Sequence, residues 1–579
     1  MKYKLLGSNI KINFIQEVLK NRGIDNYQEF LYSKEECLND SSNLDNIDTG
    51  CELLYNNIYN NNKILLVVDC DADGMTSSAM LYNFIKKIQP DTNINYALHN
   101  GKMHGLSNDL CVENEKTIYD YDLVILPDAS SNDYEQHYEL RTKGIDVLVI
   151  DHHETPQGYS ANACVINNQL SKNYTNKSLS GAGVVWQFIR HYVNKYNLTD
   201  INVNYFLDLL TVGNVADVMD MSSLETKYLC SLGKNNLNNA GILALCKKQE
   251  YSMKGEFNPM SIGWYIGPLI NAVLRVGTIE EKDLLFRSLL DENKNIKIQS
   301  TKKGAKQGDL ELLVNEAARI ASNIRNRQNK MVDKGMELIE KLIEENNLLE
   351  NKILLVEIDE NDIEPEIVGL VANKIASKYM MPTLILRNVG GSLYGSGRNF
   401  ENSPLEDMRK FLDVSNFMEL AQGHGSAFGA GIEKENKDKL IDYCNEKLKD
   451  IVFEAIPSVD FIFDLSKSTD KELLKQCCFE LNKYKDIWGQ GVHEPLILCK
   501  NVDTSKIQLM AKGTFKITCG DITLIKFFAE DMYNEIKGKN KNIDVIGRLN
   551  VNEWAGRKTP QIFINSYDFL EEEQKKWIF

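Results

Sequence analysis

The chain has 579 residues, of which 43% are hydrophobic and 26% charged, and its 82 acidic and 66 basic side chains give a formal net charge of -16. This length exceeds the size at which a single hydrophobic core stops growing, so we expect several domains. The composition excludes a collagen-like or disordered chain. The acidic balance argues against a protein that binds nucleic acid through a generally basic surface.

The cysteines and the N-terminal residues indicate the compartment. The 12 cysteines are scattered and form no Cys-x-x-Cys pair, which argues against structural zinc and a disulfide framework. The first residues lack the apolar run of a signal peptide, and no apolar stretch approaches the about 18 residues of a membrane span. We therefore expect a cytoplasmic protein in which any metal is bound by carboxylates and histidines.

The first half of the chain predicts a helical lead-in, an α/β domain and a helical region. Residues 1–60 are polar and helix-like, and residues 61–230 contain short β-branched runs that each end in aspartate. Such runs are typical of buried parallel strands in a doubly wound sheet, whose sites lie at the carboxyl ends of the strands. Residues 231–349 are predicted to be helical and to end in a long connecting helix. The runs are 64–68, 123–126 and 147–150, with a helix-like segment at 78–88 and the long helix at 308–349.

The second half predicts a smaller α/β domain over residues 350–455 and a β-barrel over residues 456–579. The α/β domain alternates strand, helix and strand before two glycine-rich segments, at 390–397 and 422–431. The last region has short strands separated by turn residues, which is typical of a small barrel. The predicted elements are strand 352–358, helix 368–379 and strand 383–387, and then strands 496–500, 514–518, 522–528, 543–549 and 561–565.

Carboxylates and imidazoles recur where the predicted strands end. Asp69, Asp71 and Asp73 follow the first strand, Asp128 follows the second, and Asp151-His152-His153 follows the third. Mixed Asp and His ligation without thiolate favours Mn(II) or Mg(II), and two such ions sharing one carboxylate are used for phosphoester hydrolysis. The sequence therefore predicts metal-assisted phosphoryl hydrolysis.

Two of these acidic positions have other interpretations. Asp69 to Gly74 also resembles the start of a calcium-binding EF-hand loop, but the twelfth position is Met80 instead of glutamate. Asp217 lies in an otherwise apolar segment, where a helix cap or a hydrogen-bonded core acid is an equally good interpretation.

In order along the chain, these motifs resemble the DHH phosphoesterase superfamily, and within it the RecJ single-strand-specific 5'-to-3' exonucleases. The superfamily motifs are Asp69–Ser77, Asp128, Asp151–His153 and Val215–Asp217. Further RecJ-like segments are Asn21–Ile24, Gly267–Arg275, Asn326–Gln328, Val368–Ala372, Gly395–Arg398, Gly423–Gly429, Trp488–Pro495 and Asn552–Arg557. The resemblance implies a DHH domain, a DHH-associated domain and a C-terminal oligonucleotide-binding (OB) fold.

The resemblance also implies roles for individual residues. Asp128 would bridge two Mn(II) or Mg(II) ions, and His153 would lie beside the scissile phosphate as a phosphate ligand or a proton donor. A clamp on the terminal 5'-phosphate would include Arg275. One ion would be held by Asp69 and Asp71 and the other by Asp73, His152 and Asp217, and the remaining substrate contacts would be Ser396, Arg398, Gly423, His424, Asn271 and Lys102.

The chain departs from the family pattern at several positions. Gly101 stands near an expected arginine, for which Lys102 is able to compensate, and Leu269 and Gln422 replace an arginine and a glycine. Asp128 lacks the following Asp-x-Gly turn, which predicts a less securely placed bridging carboxylate. These changes predict weakened phosphate contacts.

The last region has a different charge balance from the rest. Residues 457–579 carry 18 basic and 18 acidic side chains, so the other 48 basic and 64 acidic side chains account for the whole -16. OB folds stack bases on aromatic side chains within a positive groove. The candidate contacts are Trp554, Arg557, Lys516 and Lys526, with Phe515 and Phe527 more commonly core residues than platforms.

We therefore predict a metal-dependent exonuclease that degrades single-stranded DNA from the 5' end to mononucleotides, in recombination and repair. Its partners would be single-stranded DNA and a helicase or single-strand-binding protein, and the chain would be a monomer. Two alternatives stay open: a DHH phosphodiesterase for short oligonucleotides or cyclic dinucleotides, and a non-catalytic nucleic-acid-binding scaffold.

Overall fold

A computed structural model describes residues 1–112, 116–155, 157–454, 456–539, 541–554 and 556–570, and for residue 554 it describes the backbone alone. Across those ranges, no helix combines the length and the apolar character that a membrane crossing requires. The N-terminal residues form one short strand and three helices rather than one continuous helical segment. These are β1 (Lys4–Leu5), α1 (Phe14–Asn21), α2 (Tyr27–Leu31) and α3 (Ile47–Tyr59).

A six-stranded sheet forms the centre of the first α/β domain, as the β-branched runs predict. Its three central strands are completely or nearly buried because helices cover both faces. The first helix after a strand begins at Ala72, six residues before the predicted start, because the Asp71 side chain caps it. The elements are β2 (Ile64–Val68), α4 (Ala72–Ile88), β3 (Ile94–His99), β4 (Leu110–Val112), β5 (Leu123–Pro127), α5 (Tyr134–Thr142), β6 (Asp146–Asp151) and β7 (Cys164–Asn167).

The strand order in this sheet is β4-β3-β2-β5-β6-β7. All neighbouring pairs are parallel except β3 and β4. Strands β2, β5 and β6 are therefore adjacent and point the same way, so that the residues after them meet at one edge.

The region after this sheet is helical, as predicted, and leads into a helix of 33 residues. That helix begins at Leu313 because Leu310–Leu312 pairs with Lys297–Gln299 as a short hairpin. The elements are α6 (Gly181–Lys195), α7 (Leu207–Ala216), α8 (Leu224–Gly233), α9 (Ala240–Lys248), α10 (Glu250–Met253), α11 (Pro259–Ser261), a π-helical turn (Ile262–Ile266), α12 (Gly267–Val276), α13 (Ile279–Ser288), β8 (Lys297–Gln299), β9 (Leu310–Leu312) and α14 (Leu313–Glu345).

Helix α14 joins two hydrophobic cores. Ala321 and Ile324 near its start pack in the core of the first domain, whereas Ile339 and Ile343 near its end pack in the next one. The amphipathic stripe along the sequence therefore serves two domains in turn.

A five-stranded sheet forms the second α/β domain, in the order β10-β11-β12-β14-β13. Both glycine-rich segments lie in this sheet. They form antiparallel strands, which the sequence did not predict. The elements are β10 (Leu354–Asp359), α15 (Pro365–Tyr379), β11 (Thr383–Val389), β12 (Ser392–Arg398), α16 (Met408–Asp413), β13 (Met418–His424), β14 (Ala427–Glu433) and α17 (Lys437–Lys447).

The C-terminal module contains the five predicted strands, two further strands at the edges of its sheet and two helices. Its sheet has the order β16-β17-β21-β22-β20-β19-β18, and within the described residues this hydrogen-bonded ladder does not close on itself. Strand β1 pairs with a short strand at its start. The elements are β15 (Ser458–Val459), β16 (Phe461–Asp464), α18 (Ser468–Leu481), β17 (Leu496–Val502), β18 (Ile507–Leu509), β19 (Phe515–Cys519), β20 (Ile522–Lys526), α19 (Glu530–Lys539), β21 (Ile543–Trp554) and β22 (Arg557–Phe569).

The N-terminal segment is attached to the C-terminal module by a buried ion pair. Arg22 Nη1 and Nη2 lie 2.7 and 2.9 Å from the two carboxylate oxygens of Asp460, and the Asn21 side chain donates to the same carboxylate. The Arg22 and Asp460 side chains are 11% and 1% exposed. The segment Asn21–Ile24 thus contributes to holding the two ends of the chain together.

Replacing Arg22 by methionine should lower the free energy of unfolding by about 3 kcal/mol, because it leaves the Asp460 carboxylate buried without its cation. The melting temperature of the full chain measures this loss. Lys20→Met, on an exposed position of the same helix, is the matched control. An equal effect of the two substitutions would contradict the structural role of the pair.

Candidate metal centre and substrate-binding cleft

The edge formed by β2, β5 and β6 collects the predicted acids. Asp69 follows β2, and the next acid, Asp71, accepts hydrogen bonds of 2.9 Å from the backbone N–H groups of Asp73 and Gly74 at the start of α4. Asp128 follows β5, and its N–H donates to Ile150 O in the neighbouring strand. The chain therefore brings these carboxylates together through adjacent strand ends.

Three overlapping groups of candidate ligands lie at this edge, of which one is Asp128, Asp151, His152 and His153 and the other two contain the predicted ligands. Asp69, Asp71 and Asp128 form one group, and in each group the ligand atoms lie within 4.8 Å of one another. The second group contains Asp73, His152 and Asp217. His152 Nε2 lies 3.9 Å from Asp73 Oδ2, 3.4 Å from Asp217 Oδ2 and 3.2 Å from Asp128 Oδ1. Asp128 thus lies between the two groups.

Hydrogen bonds fix the orientation of Asp73. Its carboxylate accepts from Ser180 Oγ at 2.8 Å and from the N–H groups of Gly181 and Ala182 at 2.6 and 3.0 Å, at the start of α6. A carboxylate at a helix N-terminus is favoured by both the free N–H groups and the helix dipole. This contact ties α4 to α6 directly beneath the candidate ligands.

Three buried atoms of the cluster have no hydrogen-bond partner among the described residues: both carboxylate oxygens of Asp128 and Nε2 of His152. Burial and the negative charge of Asp73 raise the pKa of Asp128 well above its ordinary value. Burial, followed by Asp69 and Asp73, raises the pKa of Asp71 to about 6, and burial together with Asp73 raises the pKa of Asp217 to about 8. Unpartnered oxygen and imidazole ligands among clustered acids fit divalent cations such as Mn(II) or Mg(II).

The turn after β5 takes an unusual backbone conformation. Asp128 has φ of 65° and Ser130 has φ of 78°, a region that glycine adopts most easily. Ser130 stands at the glycine position of the family's Asp-x-Gly turn and adopts the left-handed conformation itself. Asp128 therefore lies in the cluster although the turn has no glycine, and the turn adopts a strained backbone conformation.

Two glycines next to the cluster were not identified from the sequence. A side-chain carbon on Gly181 would lie 2.4 Å from Asp128 Cβ, and one on Gly213 would lie 2.3 Å from Asp73 Oδ1. Both helices can approach the acids only because these positions carry no side chain. Neither position has a recognisable sequence signal, because the contacts are long-range.

Asp151 orients His153 instead of joining the predicted ligand set. Its buried carboxylate accepts from His153 Nδ1 at 2.8 Å and from the N–H groups of His152, His153 and Ser131. Burial alone would lower the pKa of His153, but the hydrogen bond and charge of Asp151 raise it to about 10. The half-exposed His153 ring is therefore a cation beside the acidic cluster.

His104 is a further histidine of the site and was not among the predicted residues. His104 Nδ1 lies 2.6 Å from Asp69 Oδ2, and the N–H of Gly105 donates to the other oxygen at 3.0 Å. The hydrogen bond to Asp69 raises the pKa of His104. The available signal was its position two residues after Lys102, for which the resemblance implies a substrate contact.

A group of cations lies beside the metal centre. Burial lowers the pKa of Arg275, and the neighbouring charge of Asp71 opposes this shift. Burial and then Arg275 lower the pKa of Arg398, while burial and then both arginines lower the pKa of Lys102. Arg325 on α14, which was not predicted, also has its pKa lowered by burial and then by Arg275. We call Lys102, Arg275, Arg325 and Arg398 the cation cluster.

The strand register places other predicted contacts near this cluster. Ser396 and Arg398 lie on the same face of β12, and Arg398 pairs with Ala427, which in turn pairs with His424. Gly423, next along β13, and His424 are both exposed.

The remaining positions of the substrate region have defined structural roles. Asn271 Oδ1 accepts from the N–H of Ala72 and so holds the start of α4. The three departures from the family pattern have different surroundings. Leu269 is buried in the core, Gln422 is exposed, and the N–H of Gly101 donates a hydrogen bond to Asp109.

The structure gives the candidate contacts of the C-terminal module different surroundings. Lys526 Nζ donates to the backbone oxygens of Ile564 and Asn565, and Phe515 is completely buried, so both stabilise the module. Phe527 is half exposed. Lys516 is partly exposed and Arg557 exposed, whereas the Trp554 side chain lies outside the described residues.

Comparisons with known proteins agree with this arrangement. Residues 63–214 match the model of the DHH family, N-terminal domain, and residues 469–566 match that of the RecJ OB domain. The chain is 37% identical over 594 residues to the single-strand DNA-specific exonuclease yorK of Bacillus phage SPbeta, with both chains covered completely. It is 24% identical to the single-stranded-DNA-specific exonuclease RecJ of Bacillus subtilis, over 97% of this chain and 69% of the relative. The crystal structure of RecJ with Mn2+ from Thermus thermophilus superposes with a TM-score of 0.74 at 17% identity, covering 96% of this chain and 76% of that one.

Proposed function

The chain belongs to the DHH family of RecJ-type single-strand-DNA-specific exonucleases, and from this premise we propose that it degrades single-stranded DNA from the 5' end to mononucleotides in a divalent-metal-dependent reaction. One observation carries the proposal. Two groups of metal-ligand side chains meet at Asp128, and the cation cluster lies directly beside them. Hydrolysis of a phosphodiester bond requires the first kind of site, and binding of a terminal phosphate requires the second.

The candidate ligands divide between two ion positions. Asp69 and Asp71 would hold one ion, and Asp128 would lie between this ion and the other. When bound, two divalent ions lower the pKa of an attacking water and stabilise the charge that develops on the phosphate oxygens. The second ion would be held by Asp73, His152 and Asp217.

The other residues of the site position the substrate and move a proton. His153, kept protonated and oriented by Asp151, can donate a hydrogen bond to a phosphate oxygen or a proton to the leaving oxygen. Arg275 and Arg398 can each form paired hydrogen bonds with a terminal phosphate. The position of the cation cluster beside the candidate ligands supports removal of nucleotides one at a time from a phosphorylated 5' end.

A direct test supplies the purified protein with Mn(II) and single strands or duplexes labelled at either end. We expect labelled mononucleotide from the 5' end of single strands, and much slower release from duplexes. Digestion from the 3' end alone, or a preference for duplex, would contradict the proposed polarity or strand selection. Equal rates on dinucleotides and long strands would instead favour a phosphodiesterase of short substrates.

Replacing Arg275 by glutamine should lower kcat/KM for a 5'-phosphorylated strand by about 10- to 100-fold, because a hydrogen-bonded charge at the phosphate is lost. The rate on a strand with a 5'-hydroxyl should change much less. Arg287→Gln is the matched control, since Arg287 lies on α13 and pairs with Asp283 at 3.6 Å. Equal losses on the two substrates would remove Arg275 from 5'-end selection.

The cellular setting is also part of the proposal. Family membership supports a role in recombination and repair in the cytoplasm, with single-stranded DNA as substrate and a helicase or single-strand-binding protein as partner. We propose that the chain acts as a monomer. Light scattering of the purified protein measures its mass in solution, and a stable dimer would contradict the last point.

A further inference from the structure

Two segments run side by side where the metal centre meets the C-terminal module. Residues 215–221 contain the ligand Asp217, and residues 259–267 contain the π-helical turn. A side-chain carbon on Gly263 would lie 3.6 Å from Val215 Cγ1, and one on Gly267 would lie 3.2 Å from Ala216 Cβ. The π-helical turn therefore packs against the end of α7, immediately before Asp217.

The far ends of the two segments meet the C-terminal module. The N–H of Met221 donates to Gln490 O at 2.8 Å. A side-chain carbon on Gly489 would lie 2.8 Å from Met221 Cγ and 3.7 Å from Pro259 Cβ. The short stretch between Asp217 and Met221 thus leads from the metal centre to the C-terminal module.

Large apolar side chains are exposed in the middle of both segments. Trp264 is 67% exposed and Tyr265 is 37% exposed, while Val218 is 58% exposed. Val218 also has φ of 59°, at the position where a helix end usually carries glycine, and Met219 N donates to Asn214 O as such helix ends require. A β-branched residue in this conformation is strained, and strain of this kind concentrates at functional sites.

These side chains and the cation cluster adjoin different ligand groups of the metal centre. Arg275 interacts with Asp71 of one ligand group, whereas Trp264 adjoins the segment that carries Asp217 of the other. Trp264 and Arg275 are eleven residues apart along the π-helical turn and α12, which is about 16 Å at the rise of a helix. The turn that carries Trp264 therefore packs beside the segment that leads from Asp217 to the C-terminal module.

We propose that Trp264, supported by Val218, is a stacking surface for the base on the 3' side of the scissile phosphate. The inference rests on the proposed function, because a 5' end held at the cation cluster leaves the 3' part of the strand to pass over Trp264. Base stacking on an exposed indole accepts every base, which suits an enzyme that degrades strands of any sequence. The stacked base directs the strand from the metal centre towards the C-terminal module.

The test measures binding of single strands by anisotropy in EDTA, so that cleavage does not intervene. Each strand carries one abasic position, moved stepwise from the 5' end. With the unmodified protein, one position near the 5' end should weaken binding by about tenfold, the usual effect of losing one stacked base. Trp264→Ala should bind the intact strand about tenfold more weakly and should no longer respond to that abasic position.

Tyr251→Ala is the matched control, because Tyr251 is an exposed aromatic residue of the same helical region at 98% exposure. It should leave the abasic profile unchanged, and Trp264→Phe should restore the response. If Trp264→Ala and the unmodified protein show the same dependence on the abasic position, Trp264 is not a stacking surface. The same conclusion follows if Trp264→Ala loses this dependence only because its self-association has changed. Cleavage assays with Mn(II) are separate: absence of cleavage contradicts the proposed function, whereas cleavage without a Trp264-dependent position contradicts this inference alone.

Discussion

Replacing Asp128 by asparagine is expected to lower the turnover of single-stranded DNA by about a thousandfold or more while the fold is retained. Both carboxylate oxygens of Asp128 are buried, find no hydrogen-bond partner in the part of the chain that the structure describes, and lie between the two ligand groups. Loss of a shared ligand removes several kcal/mol of charge stabilisation in the transition state, and about 4 kcal/mol corresponds to a thousandfold in rate. Release of mononucleotides with saturating Mn(II) measures the loss.

The same substitution should make the metal-free protein more stable, by about 1–3 kcal/mol near neutral pH. Asparagine has the same shape as aspartate but does not ionise, so it avoids the free-energy cost of holding a proton on a buried carboxyl group that lies beside Asp73 and other acids. A gain in stability together with a loss of activity is the behaviour expected of a residue selected for function.

Asp91→Asn is the control for this pair of effects, because Asp91 is an exposed acid between α4 and β3. It should change neither turnover nor melting temperature. Retained turnover in Asp128→Asn would remove Asp128 from the ligand set. A lower melting temperature of that variant in EDTA would contradict this account of the buried carboxyl group.

The buried strands were predictable from the sequence because a parallel strand covered on both faces is a continuous apolar run. Ile64–Val68 was predicted without error, and Thr383–Val389 was found two residues longer than predicted. The glycine-rich strands β12, β13 and β14 were not predicted as strands. Glycine has low strand propensity, and these strands form because partners distant in sequence supply the pairing and the packing.

The acids and histidines at the strand ends were predictable for a related reason: each group follows a recognisable apolar run, and parallel strands bring their carboxyl ends to one edge, whereas Asp217 follows helix α7. His104 and Arg325 were missed because their neighbours in sequence carry no comparable pattern, and only folding places them beside Asp69 and Arg275. Lys526 is a different case, in which the predicted contact stays a prediction. Its charge suggested a DNA contact, but its ammonium group satisfies backbone oxygens of a neighbouring strand.

The metal-free protein should lose stability as the pH rises from about 5 to about 8, by about 5 kcal/mol. Asp71 and Asp217 have folded-state pKa values of about 6 and about 8, both above the ordinary value of 3.8. Between the ordinary and the folded values, the folded protein binds more protons than the unfolded chain. The stabilisation is therefore complete at low pH and is lost as the pH rises through about 6 and about 8. A melting temperature lowered by about 6 °C or more in EDTA measures this loss.

Mn(II) should reverse this dependence, because the carboxylates must be deprotonated to bind it. At a hundred times its dissociation constant a bound ion adds about 2.7 kcal/mol, and the gain should be larger at about pH 8 than at about pH 6. Asp151, whose pKa is lowered by its partners, is ionised across this range and does not contribute to the slope. Asp128→Asn should flatten the dependence in EDTA, since Asp128 is itself an acid whose pKa is raised well above its ordinary value in the folded protein. If the melting temperature in EDTA is constant or rises over this pH range, the acids are not clustered as the structure places them. If the stabilisation by Mn(II) is independent of pH, the ion binds elsewhere.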